Sequence, residues 1–192
     1  MKKIFIGTHN KGKFREISYL ISKNIKKISP NSLMIKSPRE TGKTFKSNAK
    51  IKVIYFSRFT GFPVISDDSG LCINALKGKP GIFSARWAKR HGSFFKAMKY
   101  ILKIMKNKRD RSAYFVCSLS FKKPGGKIIT VEGKVKGSIS KKILGNKGFG
   151  YDPIFIPLSK SITYGQMSKV KKIKSDHRYK AFKNLKKKIK IL

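Results

Sequence analysis

The sequence predicts an α/β fold built on a mixed sheet, and three observations predict it. Short apolar runs at residues 3–7, 33–36, 63–65 and 154–156 read as buried strands and alternate with stretches of helical periodicity. Two alternating stretches, 112–121 and 127–136, flank Pro124-Gly125-Gly126 and read as a β-hairpin. No internal repeat and no linker-like segment interrupts the chain, so residues 1–192 read as one domain. Strands mixed with helices, plus one local hairpin, give a sheet with both parallel and antiparallel neighbours.

The elements follow in order. Residues 3–7 form the first strand. Phe14, Ile17, Leu20 and Ile21 then recur at helical spacing. Residues 33–36 are a short strand and 37–44 a polar loop. Residues 45–59 form a helix closed by Gly61, with Ile51, Ile54 and Tyr55 among its apolar positions. The strand 63–65 runs into Ser66-Asp67-Asp68-Ser69-Gly70, and residues 78–81 are a Gly/Pro-rich loop. Phe95, Met98, Ile101, Leu102 and Met105 mark a helix over 94–105. After the hairpin, residues 145–152 form a second glycine-rich loop before the strand 154–156. A basic helix over 178–190 ends the pattern.

Charge dominates the composition: 47 Lys and Arg stand against 8 Asp and Glu, a formal +39. Two readings follow. One is a nucleic-acid partner held through its phosphates. The other is a lysine-rich composition spread over solvated faces, which is favoured because the lysines are scattered through every segment. Either way the field attracts polyanions, and non-specific polyanion binding is expected. No run of about 18 apolar residues is present, so no membrane span is expected. The first strand is too short and too interrupted to read as a signal peptide. Cys72 and Cys117 lie far apart without metal-type spacing, and read as core thiols of a cytoplasmic protein. In a chain this poor in acids, the adjacent pair Asp67-Asp68 needs a reason.

Four clusters carry chemistry. "GTHNKGKF", Gly7 to Phe14, fits the phosphate-loop template G-x-x-x-x-G-K-[ST] except at the last position. A strand, a turn and a helix N-terminus make an anion site, with backbone N–H groups and the helix dipole aimed at the ligand. Thr8 and Asn10 add side-chain donors and Lys13 a positive charge. Phe14 replaces the hydroxyl that would hold magnesium, so a metal must be held elsewhere. "ISDDSGL" offers that place: Asp67 and Asp68 follow an apolar strand, where ligand sites gather in open α/β sheets. Neighbouring strand residues point to opposite sides, so the two carboxylates can serve different ends. Glu40 in "RETGKTF" is a candidate second ligand for a hard cation. "GFGYDPIF", Gly148 to Phe155, places aromatic rings between glycines, and an exposed ring stacks on a base. "SDHR", Ser175 to Arg178, carries His177 and Arg178, which can read base carbonyls or phosphates. His9 and His91, taken singly, read as structural. Packed turns and capping acids account for each cluster taken alone.

Taken together, "THNKGK" with Glu16 after it, "ETGKTFKSNAKIK", "SDDSGLCINALKGKPGIFSARW", "GFGYDPIF" and "DHRYKAF" resemble the inosine triphosphate pyrophosphatase family over almost the whole chain. The resemblance implies an elongated, two-lobed α/β fold with a long twisted mixed sheet and a central active-site cleft. It implies a homodimer and magnesium-dependent hydrolysis of the deaminated purine nucleotides ITP, dITP and XTP to monophosphate and pyrophosphate. It assigns Thr8, His9, Asn10, Lys11, Gly12 and Lys13 to the triphosphate loop, and Lys52 to a second phosphate contact. Glu40 and Asp68 match the magnesium site, with Asp68 also the proton acceptor for water and Asp67 the supporting acid. Ser69, Arg86, Phe149, Gly150, Tyr151, Asp152, Lys172, His177 and Arg178 match substrate contacts.

Three positions depart from the family pattern. Arg39 stands where members often carry an acid, and Asp176 where they carry serine. His9 replaces a glycine favoured for backbone freedom, so strain at a positive φ is expected there.

Overall fold

Helices pack on opposite sides of the first strand, and the alternation of that strand explains why. The computed structural model describes residues 2–189. In chain order it runs β1 (Lys3–Ile6), α1 (Lys11–Leu20), β2 (Lys26–Ile28), α2 (Phe45–Ser57), β3 (Val64–Ile73), α3 (Ser84–Arg90), α4 (Phe94–Ile104), β4 (Ser112–Lys122), β5 (Ile129–Ile139), β6 (Phe155–Pro157), α5 (Lys169–Ile173) and α6 (His177–Lys186). The strands form one sheet in the order β2-β1-β3-β4-β5-β6. β1 pairs in parallel with β2 and β3, and β5 pairs antiparallel with β6, so the sheet is mixed as expected.

The chain divides into two compact units. One takes the residues up to Asp68, residues 117–133 and those from Arg178 onward; the other takes Ser69–Val116 and Lys134–His177. In the first unit, Ile4 and Ile6 point to one side and pack with Ile17 of α1 and Ala181, Phe182 and Leu185 of α6. Phe5 points to the other side and packs with Val53 and Phe56 of α2, its ring 5.3 Å from that of Phe56. Each of the buried Ile, Leu, Val and Phe side chains contributes about 1.5–3 kcal/mol. In the second unit, Leu71 and Ile73 of β3 pack with Ala97, Met98 and Ile101 of α4 and with Phe115, Val135, Ile139 and Phe155.

Caps fix the helix starts. Asn10 accepts from the Lys13 N–H at the start of α1, and Thr44 and Ser47 form a capping box at the start of α2. The hairpin turn has the chemistry its sequence demands: Gly126 N–H donates to the Lys123 carbonyl at 3.0 Å, with Pro124 and then Gly125, at φ 66°, between them.

Four expectations need correction. Residues 33–36 are not a strand: a 3-10 turn covers Asn31–Leu33, and Met34 is 92% exposed at φ 52°. The outer strand is β2 instead, whose two lysines hid it from a search for apolar runs but suit an exposed edge. Second, Asp67 and Asp68 do not end a strand, because β3 continues through them to Ile73. The parallel partner β1 ends opposite Ile65, so the pair lies just beyond that pairing. Third, the helix expected over 45–59 stops at Ser57, ahead of Gly61, with Arg58 at its C-cap. Fourth, His9 is not among the residues of positive φ, so no backbone strain attends it. The short helices α3 and α5 went unread. The last position of the expected helix 178–190 lies outside the described residues; α6 itself starts one residue earlier, at His177.

Gly7, at the end of β1, needs to be glycine for closeness rather than conformation. Its N–H donates to the Ile65 carbonyl at 2.8 Å, and an added Cβ would overlap Ser66 Oγ and the Phe56 ring. Gly7→Ala is expected to destabilise the protein by about 1–3 kcal/mol, read from a denaturant midpoint shift at unchanged slope.

Candidate active site

In the first unit the acid pair splits across the sheet as strand geometry requires. Asp67 is fully buried on the α1 and α6 side. Lys13 Nζ lies 3.2 Å from its Oδ2, and Arg178 Nη2 lies 3.5 Å from the same oxygen. Arg178 is itself buried and also pairs, through Nη1, with Glu16 of α1. Burial pushes against ionisation of Asp67, but Lys13, Arg178 and Lys52 outweigh it and hold the carboxyl well below the usual carboxylate range. Burial likewise opposes the Lys13 charge, and Asp67 and Asp68 overcome it, raising that lysine above its ordinary value.

Asp68 faces α2. Its Oδ2 accepts from Asn48 Nδ2 at 3.0 Å. Burial raises its pKa, and the nearby Glu40 adds to the rise, against Lys13, Lys52 and the Asn48 hydrogen bond. Two adjacent carboxyl groups are thus pushed in opposite directions, one held as an anion and one raised toward a proton acceptor. Lys52, a turn beyond Asn48, donates to the Asp67 carbonyl at 2.7 Å and sits 3.2 Å from Glu40 Oε1. Glu40 keeps 31% of its side chain exposed.

The phosphate-type loop lies alongside. Thr8 is buried and its Oγ1 accepts from the Asn10 N–H at 3.3 Å. Asn10 spends its side-chain oxygen on the Lys13 N–H at 3.0 Å, and Gly12 is buried in the first turn of α1. Lys11 is exposed, and its carbonyl accepts from Arg15 Nε at 3.2 Å. The His9 ring is held by the loop that precedes Glu40. Its Nε2 lies 3.0 Å from the Ile35 carbonyl, which can only accept, so Nε2 carries the hydrogen. In the neutral ring Nδ1 then accepts from Ser37 Oγ at 2.6 Å.

The second unit holds the other predicted residues. Asp152 Oδ2 accepts from the Phe149 N–H at 2.8 Å and from Lys172 Nζ at 2.6 Å, with both charged side chains buried. Lys172 Nζ also lies 4.7 Å from the centroid of Phe149, which is half-buried. Gly148 and Gly150 take φ of 76° and 67°, conformations that favour glycine and fold the loop back onto Asp152. Tyr151 is not displayed. It is buried against Phe94, its hydroxyl donates to the Ser84 carbonyl at 2.9 Å, and burial pushes its pKa upward. His177 stacks on Phe115 at 4.8 Å with 11° between the rings. Ser69 is half-buried on β3, and Arg86 is exposed on α3 with its guanidinium over Phe83.

Two residues of the site escaped the sequence reading. Glu16 was seen only as part of a motif, yet it is the buried partner of Arg178. Its spacing of three from Lys13 places both on one helix face. Asn48 lies within the stretch "ETGKTFKSNAKIK" but was given no role of its own, although its spacing of four from Lys52 carried the same signal.

The chain belongs to the Ham1 family, whose model matches residues 4–188 and so spans residues of both units. This bears out the resemblance carried by the motifs. The chain is 39% identical over 186 residues to a dITP/XTP pyrophosphatase of Caulobacter vibrioides, covering 96% of each protein. It is 42% identical over 190 residues to a dITP/XTP pyrophosphatase of Dictyoglomus thermophilum, covering 95% of this chain and 92% of that one. Among solved structures, it resembles the Staphylococcus aureus Ham1 protein with a TM-score of 0.85, at 35% identity over 97% of each chain. A Ham1 protein from Coxiella burnetii matches with a TM-score of 0.86 at 32% identity, over 97% and 98% of the two chains. The fold is therefore the α/β fold of these Ham1 structures.

Proposed function

We propose that this chain hydrolyses deaminated purine nucleoside triphosphates, namely dITP, ITP and XTP, to the monophosphate and pyrophosphate, so clearing them from the nucleotide pool. The observation that carries this reading is the adjacent acid pair on β3. Asp67 is locked as an anion by Lys13 and Arg178, while Asp68 is raised and faces the loop of Glu40. The names of the relatives point the same way.

The donor set fits magnesium. Among the described residues no group of three or more His, Cys, Asp or Glu is placed to enclose a metal. Magnesium needs no such cage: one or two carboxylates suffice, with waters and substrate phosphates completing the shell. Glu40 and Asp68, close enough for one charge to raise the other's pKa, are the residues that would hold it. When bound, the ion supplies neutralisation of charge on the phosphate oxygens.

The chain's own residues do the rest. Thr8, the first-turn N–H groups of α1 and the ammonium groups of Lys13 and Lys52 bind the triphosphate, helped by His9, Asn10, Lys11 and Gly12 around the loop. Asp68 accepts a proton from water as its oxygen bonds to phosphorus. The anhydride bond to the next phosphate breaks, and pyrophosphate takes the electron pair. Asp67 holds Lys13 in place, and Arg178 ties Asp67 of the strand to Glu16 of α1. Phe149, positioned by Asp152 and Lys172, offers a ring face to the base. His177, Ser69, Arg86, Gly150 and Tyr151 shape the remaining contacts. Hypoxanthine presents a carbonyl and a protonated N1 where adenine presents an amino group and a bare nitrogen. A site with donors aimed at the carbonyl leaves groups unpaired with ATP, a mismatch that discriminates by about 10⁴-fold or more. Phe149→Ala is expected to raise KM for dITP by about 5–150-fold, the equivalent of one lost base stack, with a smaller change in kcat. Steady-state kinetics would check this.

Assembly as a homodimer in the cytoplasm belongs to the same proposal, and light scattering tests the stoichiometry. Among the described residues no helix is long and apolar enough to cross a membrane. Product analysis tests the reaction type. The monophosphate and pyrophosphate should appear together, and only with a divalent cation. Diphosphate with inorganic phosphate, or turnover undiminished by a chelator, would sink the proposal.

A further inference from the structure

Asn48 is completely buried, and its amide is used at both ends. Nδ2 donates to Asp68 Oδ2 at 3.0 Å, and Oδ1 accepts from the Gly42 N–H at 2.8 Å. The orientation of the amide is fixed by its partners, since a carboxylate can only accept and a backbone N–H can only donate. Gly42 fits closely here: an added Cβ would lie 2.6 Å from Asn48 Oδ1. Gly42 is two residues from Glu40, and Lys52, one turn along α2, joins Glu40 to the Asp67 carbonyl. α2 therefore ties the Glu40 loop to β3 twice, from positions i and i+4 of one face. Neither Asp nor Leu can substitute for the first tie. Asp lacks the donor for Asp68, and Leu lacks both groups.

We propose that Asn48 is a positioning residue that fixes the orientation of the Asp68 carboxylate against the Glu40 loop, and through it sets the turnover of the hydrolysis proposed above, on which this inference rests. Residues that orient a metal-binding or reacting carboxylate typically account for about 10–100-fold in affinity or activity. Asn48→Ala is expected to lower kcat with dITP by about 10–100-fold while KM changes little, because Asn48 is fully buried with its amide spent on Asp68 and Gly42. Asn48→Asp, equal in size and still able to accept from Gly42, is expected not to restore kcat.

The deciding experiment pairs these kinetics with a thermal double-mutant cycle on protein free of metal and nucleotide. Asn48→Ala, Asp68→Ala and the double variant are melted side by side. Coupled residues give a double-variant shift smaller than the sum of the single shifts. Additive shifts, wild-type kcat in Asn48→Ala, or restored kcat in Asn48→Asp would each overturn the proposal. Were Asn48→Ala too unstable to assay, Asn48→Asp would decide the kinetic arm: kcat lowered as above supports the role, and wild-type kcat refutes it. If the wild-type protein hydrolysed none of the nucleotides, the functional reading would fall on its own, and the cycle would still decide whether Asn48 holds Asp68.

Discussion

Asp68→Asn is expected to lower kcat for dITP by about 10³-fold, within the range set by loss of a positioned general base, and to leave the protein at least as stable as wild type. The two halves of this result have one cause. Burial raises the Asp68 pKa, so its ionised form is unfavourable in the folded state. A carboxyl group whose folded pKa is raised costs stability as the pH rises above the unfolded value, with the full cost present above the folded one, and a neutral amide of equal size removes that cost. The variant can still present an oxygen to Asn48 Nδ2, which keeps the hydrogen bond. A loss of activity together with a gain or no change in melting temperature is the mark of a residue kept for function. Turnover and melting temperature, measured on the same preparation, check both halves.

Asp67→Asn should behave in the opposite way. Asp67 is the shared anion of Lys13 and Arg178, both held within 3.5 Å, and the neutral variant leaves two cations with Glu16 as the carboxylate at Arg178. Breaking a buried ion pair from one side costs about 3–5 kcal/mol. The pH dependence follows from the direction of the shift. The folded Asp67 pKa lies well below the usual carboxylate range, so the group contributes stability above the unfolded value, about 3.9. That contribution is lost as pH falls toward the folded pKa. The deficit of Asp67→Asn relative to wild type should thus be largest near neutral pH and shrink in acid. Denaturant titrations at pH 7 and pH 2 check it, and a deficit that is constant between them would refute the assigned role.

The candidate residues could be read in the sequence because their chemistry is unusual for this chain. With 8 acids against 47 basic residues, the adjacent pair Asp67-Asp68 stands out without any knowledge of the fold. The helix starts at Phe45 and Phe94 were equally accessible, from apolar spacing alone. What stayed hidden depends on contacts distant in sequence. β3 looked as if it ended at Ile65, because Ser-Asp-Asp-Ser-Gly is turn chemistry. Its continuation requires Lys13, Asn48 and Arg178 to compensate the buried acids, and nothing local announces them. Glu16 and Arg178 lie 162 residues apart, so their pairing had no local signal. Tyr151 looked like a displayed ring among glycines, but the partner that buries its hydroxyl, Ser84, lies 67 residues away. β2 was missed for the opposite reason: an edge strand rich in lysine carries little apolar pattern to find.

The central claim is that the site hydrolyses triphosphates of deaminated purines in preference to the ordinary ones. The most direct measurement is kcat/KM for pyrophosphate release from dITP, XTP, dATP and dGTP, with magnesium present, on one enzyme preparation. The account predicts turnover of dITP and XTP, with dATP poorer by about 10⁴-fold or more and dGTP also disfavoured. Equal use of all four, or release from dATP and dGTP alone, would contradict it.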